Sequence, residues 1–202
     1  MKGKPMSATF FALVSRMKYI DRWALMRNSR PENLSEHSLE VACIAHALAT
    51  IANVRYGRTL DASRAALVGL YHDASEIITG DMPTPVKYHD HQLRDAYKQV
   101  EHEAQERLLD HLPQDLRPSF AELFSPHDTD DDRYLWQLVK AADRLSALIK
   151  CVDEAQAGNT EFRTAEVTTR ERVDELCAQF PEVADFVREF LPSYGSTLDE
   201  LL

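Results

Sequence analysis

The chain has 202 residues (23.0 kDa), 44% of them apolar and 28% charged, a composition that excludes both a disordered chain and a membrane-embedded one. Its formal charge of −10 and pI near 5.2 exclude a general binder of nucleic acid or anionic membranes, because attraction to a polyanion needs the opposite sign. A small anionic substrate stays open, provided local positive charge receives it.

Glycine is scarce, alternating β-branched runs are nearly absent, and helical periodicity dominates. The N-terminal segment MKGKPMSATFFALVSR is basic, but its apolar run is short and no small-residue cleavage site follows; no segment approaches the roughly 20 apolar residues of a membrane helix. A cytoplasmic protein is therefore expected. The pattern predicts helices at about 7–19, 34–54, 61–79, 92–111, a short one near 119–125, then 132–157, 160–180 and 182–191. Asn33 with Glu36 three residues on is a capping-box start, Asp61 caps the third helix, and Gly80 ends it before the proline-punctuated Asp81-Met82-Pro83-Thr84-Pro85. Three widely spaced cysteines (Cys43, Cys151, Cys177) point to neither a disulfide framework nor a thiolate zinc site. Without repeats or a long linker, the expectation is one all-α domain over residues 1–202, with a core at about 30–150 and C-terminal helices 160–202 completing the bundle.

The chemistry lies in ionisable residues set on apolar faces. On a helical wheel of about 100° per residue, Val41, Ile44, Leu48 and Ile51 fall within about 40° of His37, which therefore points inward, while His46 looks out. A lone inward histidine is ordinarily a hydrogen-bonded core residue. The third helix, LVGLYHDASEIITG, is apolar or small nearly all round, which predicts deep burial, yet His72, Asp73 and Glu76 share an arc of about 100° on it. Unpaired buried charge costs several kcal/mol, so such groups are paired or bound to a metal. Asp143, in LWQLVKAADRLSALIK, shares a face with Trp136, Val139 and Ala147 and reads as a partner of Arg144 or Lys140, as an ordinary exposed acid on an amphipathic helix, or as a further ligand.

Taken together, His37, the His72–Asp73 doublet and Asp143 offer two imidazoles and two carboxylates from separate helices, as a site centred in a helical bundle requires. That donor set suits one divalent ion such as Mn²⁺, Co²⁺, Fe²⁺ or Zn²⁺, with open positions for water. The order resembles the metal centre of the HD-domain superfamily. The flanking segments DRWALMRNSRPENLSEHSLEVA (21–42), YHDASEIITGDMPTPVKY (71–88) and LVKAADRLSALIKC (138–151) narrow the resemblance to the YfbR-type bacterial 5′-deoxynucleotidases, from about residue 8 to 160 and more loosely to the C-terminus.

The resemblance implies a compact helical HD-domain bundle with a mononuclear metal site that hydrolyses deoxyribonucleoside 5′-monophosphates in the cytoplasm as a homodimer. It implies Co²⁺ or Mn²⁺, with Zn²⁺, Fe²⁺ and Cu²⁺ compatible, and no polymeric nucleic acid or membrane as partner. His37, His72, Asp73 and Asp143 would be the metal ligands, with His37 and Asp143 also facing substrate. Glu76 would be the acid/base residue, Arg22 would orient the phosphate, Trp23 would lie beside the sugar, and Asp81, Met82, Pro83 and Thr84 would hold the nucleoside. Physically, Arg22 offers a planar fork for a phosphate, and Trp23 could exclude a 2′-hydroxyl at a cost to ribonucleotides of about 1–3 kcal/mol.

Other readings stay open at this point. Another HD nucleotide phosphohydrolase or phosphodiesterase would call on more cations than Arg22, Arg27 and Arg30. A two-metal centre would recruit from His89, His91, His102 and His111. A nucleotide-binding HD module without hydrolysis would be expected to lack a ligand or the acid/base residue.

Overall fold

The computed structural model describes residues 8–83 and 91–202, with His91 and Gln92 described by backbone alone. Helix α2 (Leu34–Tyr56) is the central element. The Asn33 side chain accepts from the Ser35 and Glu36 N–H groups (3.0 and 3.1 Å), and Glu36 accepts the Asn33 N–H in return, completing the capping box. The helix ends at Gly57, whose φ of 66° is the left-handed conformation that closes a helix. Over this span the chain is more apolar than the sequence reading allowed. An 18-residue window reaches a mean hydropathy of 1.2, but more than half of it is buried inside the bundle, which marks a core helix.

Helix α1 (Phe10–Val14) tightens into a 3₁₀ turn over Ser15–Tyr19, so only part of the expected 7–19 helix is α-helical. A two-residue antiparallel pairing follows between β1 (Asp21–Arg22) and β2 (Glu32–Asn33), with Arg22 opposite Glu32. Helix α3 (Ala62–Tyr71), capped by Asp61, packs so closely on α2 that a Cβ on Gly69 would lie 2.9 Å from the Ala42 Cα. Helices α4 (Glu76–Thr79), α5 (His91–Leu109), α6 (Arg117–Ala121) and α7 (Asp130–Gln156) come next. Thr129 caps α7, whose first turn carries Asp130, Asp131 and Asp132 against the helix dipole. A 3₁₀ turn (Thr160–Phe162) leads into α8 (Arg163–Gln179) and α9 (Pro181–Glu189), then a 3₁₀ turn (Leu191–Ser193) and α10 (Leu198–Leu201).

The main core is the meeting of α2, α3, α7 and α9, through Val41, Ile44, Leu48, Val68, Leu138, Leu145, Val183 and Phe186. A second cluster of Phe10, Met17, Leu34, Ala74, Leu108 and Leu109 packs α1 and α5 against the foot of α2. Helix α8 packs on α7 and α9, closing the bundle on that side.

The expected continuous helix over 61–79 breaks at Tyr71. The Gly69 carbonyl, which a continuing helix would give to the Asp73 N–H, accepts instead from His72 Nδ1 at 2.7 Å, and the chain tightens to i→i+3 bonds at Ala74, Glu76 and Ile78. The expected burial all round this segment also fails. Val68, Gly69, Ala74 and Glu76 are buried, but Leu67 and Leu70 face outward at 47% and 38% exposure.

Candidate metal centre

Helix α2 brings in His37 one turn after its cap, the break after α3 brings in His72 and Asp73, and the middle of α7 brings in Asp143. Ligand atoms of His37, His72 and Asp143 lie within 4.8 Å of one another. Asp73 completes the group, with Oδ2 at 3.0 Å from His72 Nε2 and 3.6 Å from His37 Nε2, while Asp143 Oδ1 is 3.3 Å from His37 Nε2. Although the helical wheel fails between residues 71 and 76, His72 and Asp73 still converge, because the tightened turn puts both on the α2 side.

The tautomers are set from outside the cluster. Nδ1 of His72 is committed to the Gly69 carbonyl, and Nδ1 of His37 contacts the Ser146 hydroxyl (3.0 Å) and Glu32 (3.5 Å). Both Nε2 atoms are buried, have no hydrogen-bond partner among the described residues, and face carboxylate oxygens. Two imidazole lone pairs beside two carboxylates form a cavity that repels itself unless a cation is shared among them. Two nitrogens and two hard oxygens are donors that a first-row divalent ion accepts, so the residues fit a metal.

The local charges agree. Burial works to raise the pKa of Asp143 and of Asp73, but the neighbouring imidazoles outweigh it and hold both carboxyls below the usual range. Burial works to lower the pKa of His37, and the carboxylates of Asp143 and Glu32 facing its ring raise it on balance. The negative potential that would favour a proton on His37 favours a divalent cation equally.

Arg22 comes from the β1–β2 pairing, half-buried between Glu32 (Nε to Oε1, 3.4 Å) and Asp73 (Nη1 to Oδ2, 3.5 Å). Burial works to lower its pKa, and the charges of Asp143, Asp73, Glu32 and Asp81 raise it. Asp81 thus lies within electrostatic reach of the centre; Met82 and Pro83 beside it are half-buried, and Thr84 lies outside the described residues. Glu76 is buried in the first turn of α4. Trp23 has φ 55°, the one positive φ of a non-glycine among the described residues, a strained conformation for a bulky side chain. Its ring lies against Phe162 at 5.3 Å.

Beyond the cluster, Asp143 opens into a cavity of about 390 Å³ between α7 and α8, lined also by Lys140 and Arg144 and by Arg172, which is paired with Glu175 at 2.8 Å. Of the histidines considered for a second metal, His102 is exposed and His111 bonds Thr9 at the surface, while His89 and the His91 side chain lie outside the described residues. Sequence reasoning missed Glu32, Ser146 and Glu40. The last two were within reach, since each lies three residues beyond a candidate ligand, His37 or Asp143, on the same helix and so on the same face.

Residues 9–194 match the family model described as 5′-deoxynucleotidase YfbR-like. The 5′-deoxynucleotidase YfbR of Escherichia coli is 47% identical over 192 residues, covering 95% of this chain and 94% of its own. Among solved structures, an HD-domain phosphohydrolase from Listeria innocua aligns with a TM-score of 0.77 at 24% identity over 92% of this chain and 88% of its own. A cyanophage S-2L HD phosphohydrolase, bound to dA and one catalytic Zn²⁺ ion, aligns at 0.53 and 22% identity over 86% and 96%.

Proposed function

The chain belongs to the YfbR-like 5′-deoxynucleotidase family, and from that membership we propose that it is a metal-dependent phosphomonoesterase that hydrolyses deoxyribonucleoside 5′-monophosphates to deoxyribonucleoside and phosphate. The observation that carries the reading is the convergence of His37, His72, Asp73 and Asp143, with both imidazole Nε2 atoms buried and without a hydrogen-bond partner among the described residues. These four residues hold the metal, Co²⁺ or Mn²⁺ in this reading; the Zn²⁺ of the cyanophage protein shows that a related fold accepts another ion. When bound, a divalent ion there supplies Lewis acidity to the phosphoryl oxygens and lowers the pKa of water.

The chain's own residues do the rest. Arg22, already held beside Asp73, turns its fork to the phosphate dianion, which His37 and Asp143 also face. Glu76, buried just past His72 and Asp73, takes a proton from the attacking water as its oxygen bonds phosphorus. It returns that proton to the 5′-oxygen as the P–O5′ bond breaks, leaving a neutral nucleoside and inorganic phosphate. Trp23, held in a strained conformation against Phe162, stands beside the sugar and disfavours a 2′-hydroxyl. Asp81, Met82, Pro83 and Thr84 hold the nucleoside, and Lys140 and Arg144 at the edge of the cavity let an anion approach Asp143. The reading takes residues 1–202 as one domain, acting in the cytoplasm as a homodimer.

A panel of ribo- and deoxyribonucleoside 5′- and 3′-monophosphates, each with defined metals and with chelator, tests it. Metal-dependent phosphate release confined to the 5′-monophosphates and faster for the deoxy series is expected. Binding of these nucleotides without metal-dependent release would replace the enzyme with a nucleotide-binding module.

A further inference from the structure

The two imidazoles of the centre are held in different ways. His72 Nδ1 faces a backbone carbonyl, a group that only accepts, so its proton sits on Nδ1 and Nε2 is left with its lone pair. His37 Nδ1 faces the Ser146 hydroxyl, 3.0 Å away at a position with no solvent exposure. A hydroxyl either donates or accepts, so Ser146 alone fixes no tautomer; were it to donate, the His37 proton would move to Nε2 and block a metal.

Glu40 removes that freedom. Its Oε2 lies 2.6 Å from the Ser146 oxygen, and a carboxylate only accepts. The single hydroxyl proton therefore goes to Glu40, the Ser146 lone pairs face His37, and Nδ1 must carry the proton. Glu32 is a second acceptor for that proton, but at 3.5 Å and shared with Arg22 it is the weaker one.

We propose that Ser146 and Glu40 are positioning residues of the metal centre, a relay in which Glu40 orients the Ser146 hydroxyl and Ser146 holds the His37 proton on Nδ1, presenting an unprotonated Nε2 to the cation. Outer partners of this kind orient a ligand and raise its basicity, and their loss typically weakens metal binding about 10–100-fold. The relay rests on the reading of His37 as a ligand. It adds the means by which helices α2 and α7, each supplying one ligand and one relay residue at i and i+3, prepare the site before any ion arrives.

The test is cobalt binding by the full-length protein after chelator treatment, followed by calorimetry and by the visible absorption of the bound ion. The variants are Ser146→Ala, Glu40→Ala and both together, with Asp143→Asn as a control for the ligand set and melting of each ion-free variant as a check on folding. Ser146→Ala should bind cobalt about 10-fold more weakly, toward the low end because Glu32 remains as an acceptor. Glu40→Ala should weaken binding by less, and the double variant should bind no more weakly than Ser146→Ala alone. Wild-type affinity in Ser146→Ala overturns the relay while leaving the ligands in place. Equal losses from Glu40→Ala in both backgrounds overturn it too, since Glu40 would then act by its charge across space. Failure of the wild type to take up cobalt, with Asp143→Asn no different, removes the ligand reading itself and the relay with it. Glu40 is half-buried at the helix edge, so its variant keeps the question answerable even where Ser146→Ala fails to fold.

Discussion

At the scale of single residues, the proposed reaction turns on which carboxylates would bind the metal and which would stay free to move protons. Asp73 and Asp143 are tied to imidazoles at 3.0–3.6 Å. Glu76 is as close in sequence but begins a new helix after the chain has turned, with its backbone N–H bonded to the Asp73 carbonyl. Replacing Glu76 with glutamine keeps the size and removes the proton acceptor. Turnover should fall by about 10²–10⁴-fold while one metal per chain is retained, as elemental analysis of the purified variant would read. Loss of the metal instead would make Glu76 a ligand. The inward face of His37 was legible as the period of α2, and the doublet was legible as two charges in an apolar run. The strained backbone of Trp23 was not, because a positive φ in a tryptophan follows from the turn that ends β1, where Met26 N–H and the Asn28 side chain both bond the Trp23 carbonyl.

At the scale of elements, the long helices follow from the sequence and the short connections do not. The expected 34–54 helix runs from Leu34 to Tyr56, its start fixed by Asn33 and Glu36, because a cap and an apolar stripe are local signals. The break between α3 and α4 depends on a ring bonding to a carbonyl, and the β1–β2 pairing on contacts distant in sequence. The 23–31 loop that carries Trp23 away from Arg22 is fixed from across the molecule. Glu154 on α7 accepts the Ser29 N–H (2.8 Å) and the Asn159 side chain (2.7 Å), and Lys150 donates to both Glu154 and the Arg30 carbonyl (2.6 Å). Both charged groups are buried, so Lys150→Met, which leaves the Glu154 carboxylate uncompensated, should lower stability by about 3–5 kcal/mol in denaturant titration. The same latch has a pH signature. Burial works to raise the Glu154 pKa, but the hydrogen bonds from Lys150, Asn159 and Ser29 pull it down to about 2. A depressed folded-state pKa means that the latch contributes fully above the ordinary carboxyl value, about 4.3, and that its contribution is lost as pH falls toward 2. Glu154→Gln should therefore flatten the fall in stability through that window, and an unchanged slope would show that other carboxylates carry it.

At the scale of the whole molecule, the charge of −10 is unevenly placed. Many acids away from the centre are matched by arginines, as Asp185 and Glu189 are by Arg55, and Asp132 by Arg64. Around the centre, the half-buried Asp73, Asp143 and Glu32 share the positive charge of Arg22, and the buried Glu76 follows Asp73 in the chain. Folding therefore gathers negative charge and two imidazole lone pairs on α2, α7 and the α3–α4 break, the elements that also form the main core. A divalent cation at that point is attracted to the folded chain far more than to an unfolded one, in which the four proposed ligands are separated by up to 106 residues of sequence. Metal at about 100 times its Kd should then stabilise the fold by about 2.7 kcal/mol, which for a chain of this size raises the melting temperature by about 5–10 °C. A chelator should reverse the rise, and Asp143→Asn should abolish it, because that change removes one of the charges the cation is drawn to. A rise of the same size in the Asp143→Asn variant would place the stabilising ion elsewhere on the acidic surface, and the link between the core and the centre would fall.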